Sequence, residues 1–115
     1  MNQQSSPTPG TSEPPRLEQA GHVVRVSGSL TFDTVAEFRR AEAGAMNALF
    51  AAEKVVNIDL ESVTRTDSAG LALLLHWLRA ATRADSTVEL SNLPTQLLAI
   101  ARTCKLDAQL PISAG

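Results

Sequence analysis

The sequence predicts an α/β domain, a small mixed β-sheet with helices packed chiefly on one face. Two observations predict it: short β-branched runs alternate with stretches of helical periodicity, and the strands are apolar on one face only. Residues 1–15 stand apart from that pattern. They are Ser, Thr, Gln, Gly and Pro, with Pro7, Pro9, Pro14 and Pro15 crowded together, and read as a disordered tail with nothing to pack. The domain proper is expected over residues 16–107, followed by a short tail over 108–115.

Within the domain, a short edge strand at Leu17–Gln19 leads through Gly21 into a β-branched strand, His22–Gly28, ended by its glycine. Thr34 with Glu37 three residues later has the spacing of a capping box, and Val35, Phe38, Ala41, Ala45, Ala48 and Leu49 recur at helical spacing. A helix is therefore expected from about Asp33 to Ala52. In Lys54–Leu60 the residues Val56, Ile58 and Leu60 share one face and Val55, Asn57 and Asp59 the other, the mark of a half-buried strand. A second helix, opened by Asp67, should reach about Ala84. Thr87–Asn92 alternates as a strand, and Pro94 suits the first turn of a last helix running from Thr95 to about Cys104. Its apolar surface comes from Leu97, Leu98, Ile100 and Ala101.

Composition narrows the function. At 115 residues the chain is one domain's worth, able to bury an ordinary core without disulfide or metal. A net charge of −2 without a Lys/Arg cluster gives no footprint for nucleic acid, and Arg39-Arg40 reads as a solvated helix face. The single Cys104 cannot form an internal disulfide; it reads as a small buried hydrophobe and fits a reducing cytoplasm. No run approaches the roughly 18–20 apolar residues that span a bilayer, and Met1-Asn2-Gln3-Gln4 does not begin like a signal peptide. A cytoplasmic protein without direct membrane insertion is expected. Neither a Gly-rich phosphate loop nor a Ser/His/Asp or Cys/His set can be assigned, and Asp59, Glu61 and Asp67 read as solvated carboxylates rather than a Mg²⁺ site. The expectation is a binding protein, with no enzymatic activity, cofactor or metal.

The run Thr66-Asp67-Ser68-Ala69-Gly70-Leu71 carries the functional signal. Asp67 can cap the helix that follows, Ser68 places a hydroxyl beside unpaired backbone N–H groups, and Gly70 keeps the entrance free of a side chain. Such an end also attracts phosphate. The helix is apolar on two sides. Leu71, Leu74, Leu75, Leu78 and Ala81 form the stripe expected to face the sheet. Opposite them Ala69, Ala72, Leu73, His76, Trp77 and Ala80 occupy positions where a surface helix carries charge, and nothing charged occurs between Asp67 and Arg79. That second face either lies under the amino-terminal segment or the last helix, or is a docking surface with Leu73 and Trp77 as anchors, His76 as a polar contact and Ser68 at its edge. Docking is the preferred reading, because so small a domain has little material to cover a second helix face.

These residues closely resemble the STAS domain, the fold of anti-sigma-factor antagonists and of the cytoplasmic ends of sulfate transporters. The likeness covers roughly Arg16 to Asp107. It rests on Gly28-Ser29-Leu30 with Thr34-Val35, the strand Val55–Leu60, the Asp67-Ser68-Ala69-Gly70-Leu71 turn and Asn92–Pro94. The resemblance implies a partner-binding module whose Ser68 is the phosphoacceptor in the antagonist branch and an interface residue in the transporter branch. Antagonists commonly carry a second serine where this chain has Ala69. Gly70–Trp77 is most similar to the STAS subunits of bacterial maintenance-of-lipid-asymmetry ABC transporters. That likeness implies docking on the cytoplasmic ATPase, support of its assembly and activity, and an indirect link to the permease at the inner membrane. The partner-binding residues so implied are Asp67, Ser68, Ala69, Gly70, Ala72, Leu73, His76 and Trp77. The antagonist branch implies instead an anti-sigma serine kinase, released when Ser68 is phosphorylated.

Overall fold

The computed structural model describes residues 13–112. In chain order they form β1 (Arg16–Ala20), β2 (Val23–Leu30), α1 (Val35–Ala52), β3 (Val55–Thr66), α2 (Ser68–Arg83), β4 (Thr87–Ser91), α3 (Thr95–Thr103) and a 3₁₀ turn at Asp107–Gln109. The four strands lie in the order β1-β2-β3-β4. β1 pairs antiparallel with β2, turning at Gly21 with φ 63°, while β2–β3 and β3–β4 are parallel. The sheet is thus mixed, as the alternation of elements predicts. Crossovers of one hand that step the same way across a sheet leave their helices on one face, which puts α1 and α2 together.

The inward side of the sheet is made by Val24, Val26, Val56, Ile58, Leu60, Val88 and Leu90, all buried. Its other side is polar. There Arg25 Nε lies 3.8 Å from Asp59 Oδ2, and Asn57 Nδ2 donates to Ser91 Oγ at 2.8 Å.

β3 runs six residues beyond the expected Leu60. The segment Glu61–Thr66, which reads as a strand-to-helix loop, pairs with Ser27–Leu30 of β2, and two register shifts in that ladder absorb the extra length. α1 starts at Val35 rather than Asp33 because the N–H groups of Thr34 and Val35 both donate to Thr31 O, making a turn of residues 31–34. Nor does the expected capping box form. The Thr34 hydroxyl instead donates to Ser29 O at 2.7 Å and accepts from Thr31 N at 3.1 Å.

At both ends, ordered contacts extend past residues 16–107. Ser29 N donates to Glu13 O at 3.0 Å and Glu13 N to Ser29 Oγ at 3.2 Å, which holds Glu13–Pro15 beside the end of β2. A Cβ on Gly28, whose φ is 89°, would run into the Pro14 backbone. Leu110 is buried and Ile112 bridges to Leu90 in parallel. The rest of the two expected tails, residues 1–12 and 113–115, lies outside the described residues. Cys104 is exposed rather than buried, since it falls at the end of α3 past the last inward position, Ala101.

The docking face expected on α2 requires the largest correction. Leu73 and Trp77 are only 1% and 2% exposed, and Ala80 is buried with them. The indole meets Phe38 of α1 edge to face, with ring centroids 6.3 Å apart and planes at 69°. At about 100° per residue, the buried positions Gly70, Leu71, Leu73, Leu74, Trp77, Ala80 and Ala81 cover half of the helix circumference. The sheet, α1 and α3 share that arc. Leu75 and Leu78, expected in the sheet-facing stripe, are displaced to its half-buried margin.

Candidate functional site

Because β2 and β3 are parallel neighbours, their last residues Leu30 and Thr66 arrive side by side, and the segments that follow open at the same edge of the domain. Asp67 joins them. It stands in extended conformation ahead of α2, with φ −139° and ψ −162°, and its Oδ1 accepts from Ala69 N at 2.8 Å, the cap expected from the sequence. Its second oxygen, Oδ2, accepts from Phe32 N at 3.0 Å, across to the turn after β2. The Asp67 N–H completes the join by donating to Leu30 O at 3.3 Å.

Gly70 packs where these segments meet. A Cβ there would fall on Thr66 Oγ1, 2.9 Å from Leu30 O and 3.2 Å from Leu30 Cβ. Its role is close approach of α2 to the sheet, so it is a buried spacer rather than a contact residue for a partner.

Of the residues expected to bind a partner, Ser68 and Ala72 are exposed and Asp67, Ala69 and His76 half-buried, while Gly70, Leu73 and Trp77 point inward. The outer side of α2 therefore carries Ser68, Ala72, Leu75, His76, Arg79 and Arg83 in helical succession. It is a mixed surface, not the greasy one expected. The residue missed is Phe32, which is 84% exposed directly beside Asp67. Its signal was present: an aromatic in the polar run Thr31-Phe32-Asp33-Thr34, ahead of the helical periodicity that begins at Val35.

Burial holds the His76 pKa below its ordinary value, and the guanidinium groups of Arg39, Arg79 and Arg83 add to the effect. The folded state thus takes up this proton less readily than the unfolded chain, so stability falls as pH drops through the ordinary histidine range near about 6.5. Thermal unfolding across pH 7.5 to 5.5 is expected to show that loss in the wild type and a shallower slope in His76→Gln. Asp59 acts in a separate window. Its carboxyl is held below the usual range by Asn92 Nδ2, with the Glu61 N–H and Arg25 in support and burial opposing, and the stability it contributes is lost only on further acidification.

Asp59, Glu61 and Asp67 do not converge. Asp59 serves Asn92 and Glu61 N, whereas Asp67 serves Ala69 and Phe32. Among the described residues no group of three or more His, Cys, Asp or Glu could hold a metal ion, and no helix is long and apolar enough to cross a membrane.

No curated protein matches the chain. Solved structures do. An anti-sigma factor antagonist from Mycobacterium paratuberculosis is 20% identical with a TM-score of 0.61, over 95% of this chain and 91% of that one. The anti-sigma factor antagonist SpoIIAA in its unphosphorylated form is 19% identical with a TM-score of 0.60, over 88% of each chain. The phosphorylated form of SpoIIAA, a Bacillus cell fate determinant, is 18% identical with a TM-score of 0.60, over 87% and 91%. At such identities the likeness is one of fold. The family model described as "Mlab, STAS domain" matches residues 15–112, from the segment clamped beside Gly28 to the bridge at Ile112. With that match over nearly the whole length of a four-stranded mixed sheet and an Asp-capped α2, the chain belongs to the STAS domain family.

Proposed function

We propose that this protein is a non-catalytic binding subunit that docks on the cytoplasmic ATPase of a phospholipid-transporting ABC complex and supports its assembly and activity. The observation that carries the reading is the outward line of exposed Ser68 and Ala72 and half-buried His76 on α2, headed by the Asp67 cap. Small residues there allow close approach of a partner, and the half-buried His76 supplies a polar contact. The family description "Mlab, STAS domain" supports the transporter branch, as does Ala69 in place of a second serine. Docking can favour the active ATPase only by binding its assembled arrangement better than the unassembled one, since equal affinity shifts no equilibrium. The protein would then sit on the cytoplasmic side of the inner membrane through its partner.

The test is affinity purification of the tagged full-length chain from its own cells. An ABC ATPase accompanied by its permease is the expected result. Ala72→Glu should lower recovery of that ATPase about tenfold by placing an uncompensated charge in the contact. At an exposed helix position it should change folding stability by no more than about 0.5 kcal/mol. Unchanged recovery would remove α2 from the interface.

A second reading is favoured by the exposed Ser68 hydroxyl and by the antagonist structures, one of them phosphorylated. In it the chain is an anti-sigma-factor antagonist whose serine-kinase partner is released on phosphorylation. Phosphate on Ser68 would add about 1.5–2 negative charges beside Asp67. Recovery of a small serine kinase in place of the ATPase would select this reading.

A further inference from the structure

Phe32 is the most exposed of the large apolar side chains among the described residues, yet its backbone is fixed. Its N–H is held by Asp67 Oδ2, and the turn around it is closed by Thr34 and Val35 N–H to Thr31 O and by the Thr34 hydroxyl to Ser29 O. An exposed aromatic on a pinned turn binds with little backbone entropy left to lose, which is the condition of a binding anchor. Further along the outer side of α2, Arg79 and Arg83 follow His76 at helical spacing and are exposed, and exposed Arg39 adjoins Phe38, the α1 residue that packs on Trp77 of α2. No Asp or Glu occurs from Ser68 to Arg83, in a chain whose net charge is −2. Burial and the guanidinium groups favour neutral His76, so the positive charge of this end is that of the arginines.

We infer that Phe32 is the apolar anchor of the docking surface and that Arg39, Arg79 and Arg83 are its basic end, so that the partner it fits is an acidic protein surface with an apolar socket. The inference rests on the docking function proposed above and deepens it. Ser68 and Ala72 lie on the α2 part of the surface, and Asp67 fixes its Phe32 end by holding turn and helix cap together. The apolar contact supplies adhesion, whereas the charge sets orientation and rate of encounter.

The experiment expresses the tagged full-length chain in its own cells as wild type, as Phe32→Ala and as the triple Arg39→Glu/Arg79→Glu/Arg83→Glu, and measures the ATPase recovered with each. Both variants are expected to lose about tenfold in recovery. Wild-type recovery should fall as salt is raised, because exposed charges are screened. The melting temperature of Phe32→Ala should stay at the wild-type value, since the ring it removes is already in water. Wild-type recovery by either variant overturns the surface as drawn while leaving the docking function in place. A wild-type sample without any ABC ATPase overturns both. Binding of the purified wild type to phosphatidylglycerol–phosphatidylethanolamine vesicles, lost in the triple variant, would assign the basic end to lipid and overturn the acidic protein partner.

Discussion

Replacing Trp77 with alanine is expected to lower the free energy of unfolding by about 3–5 kcal/mol, the range for truncating a large aromatic in a packed core. The indole is 2% exposed between α1 and α2 and meets Phe38 edge to face, so the substitution both empties a cavity and deletes an aromatic pair. Against a total of about 5–15 kcal/mol for a domain of this kind, that is a large share. Chemical denaturation of the two purified proteins measures it through the shift in midpoint at constant slope. A loss below about 1 kcal/mol would be that of a surface residue, and would return Trp77 to the open face where its sequence context places it.

Gly70→Ala is expected to cost about 2–3 kcal/mol, although the same change inside an exposed helix ordinarily gains about 1 kcal/mol. The sign turns on what the new methyl meets. Thr66 Oγ1 and Leu30 O already occupy its space, and Leu30 O is a backbone atom engaged with the Asp67 N–H. Relief requires the start of α2 to move off the sheet, carrying Ser68 with it. Denaturation should therefore show the lost stability, and recovery of the partner should fall as well. A stabilised Gly70→Ala protein would mean that the helix start has room the packing denies.

Much of the architecture was legible because it is periodic. The alternation of Val56, Ile58 and Leu60 reports its buried face directly, whereas the helical spacing from Val35 to Leu49 located α1 but not its inward face. Phe38 and Leu49 are buried with Met46 and Phe50, while Ala41, Ala45 and Ala48 are exposed, because small alanines carry no face of their own. The Asp67 cap was legible too, since a carboxylate ahead of a helix has one local use. What escaped was non-local. Glu61–Thr66 extends β3 only because β2 is there to pair with it, and no property of those six residues alone distinguishes a polar strand from a loop. The reading of α2 failed for a related reason. Leu73 and Trp77 resemble an interface core because an interface core and a helix–helix contact within one chain have the same composition, and α1 was long enough to supply the contact. Phe32 was hidden by the opposite effect, a single apolar residue in a turn with no pattern to belong to.

The double engagement of Asp67 constrains how this surface can change over generations. One carboxylate satisfies the first turn of α2 and the turn after β2, two stretches of chain separated by 35 positions. Asparagine, with one acceptor oxygen in place of two, can serve either turn but not both. Losing the acid would leave the Phe32 and Ala69 N–H groups without their acceptor in a single step, and the turn after β2 would keep its bonds to Thr31 O and Ser29 O. Because both donors are backbone N–H groups, the side chains around Phe32 and around Ser68 can each change while the acid is kept, so Asp67 fixes the frame of this edge and leaves its surface chemistry open.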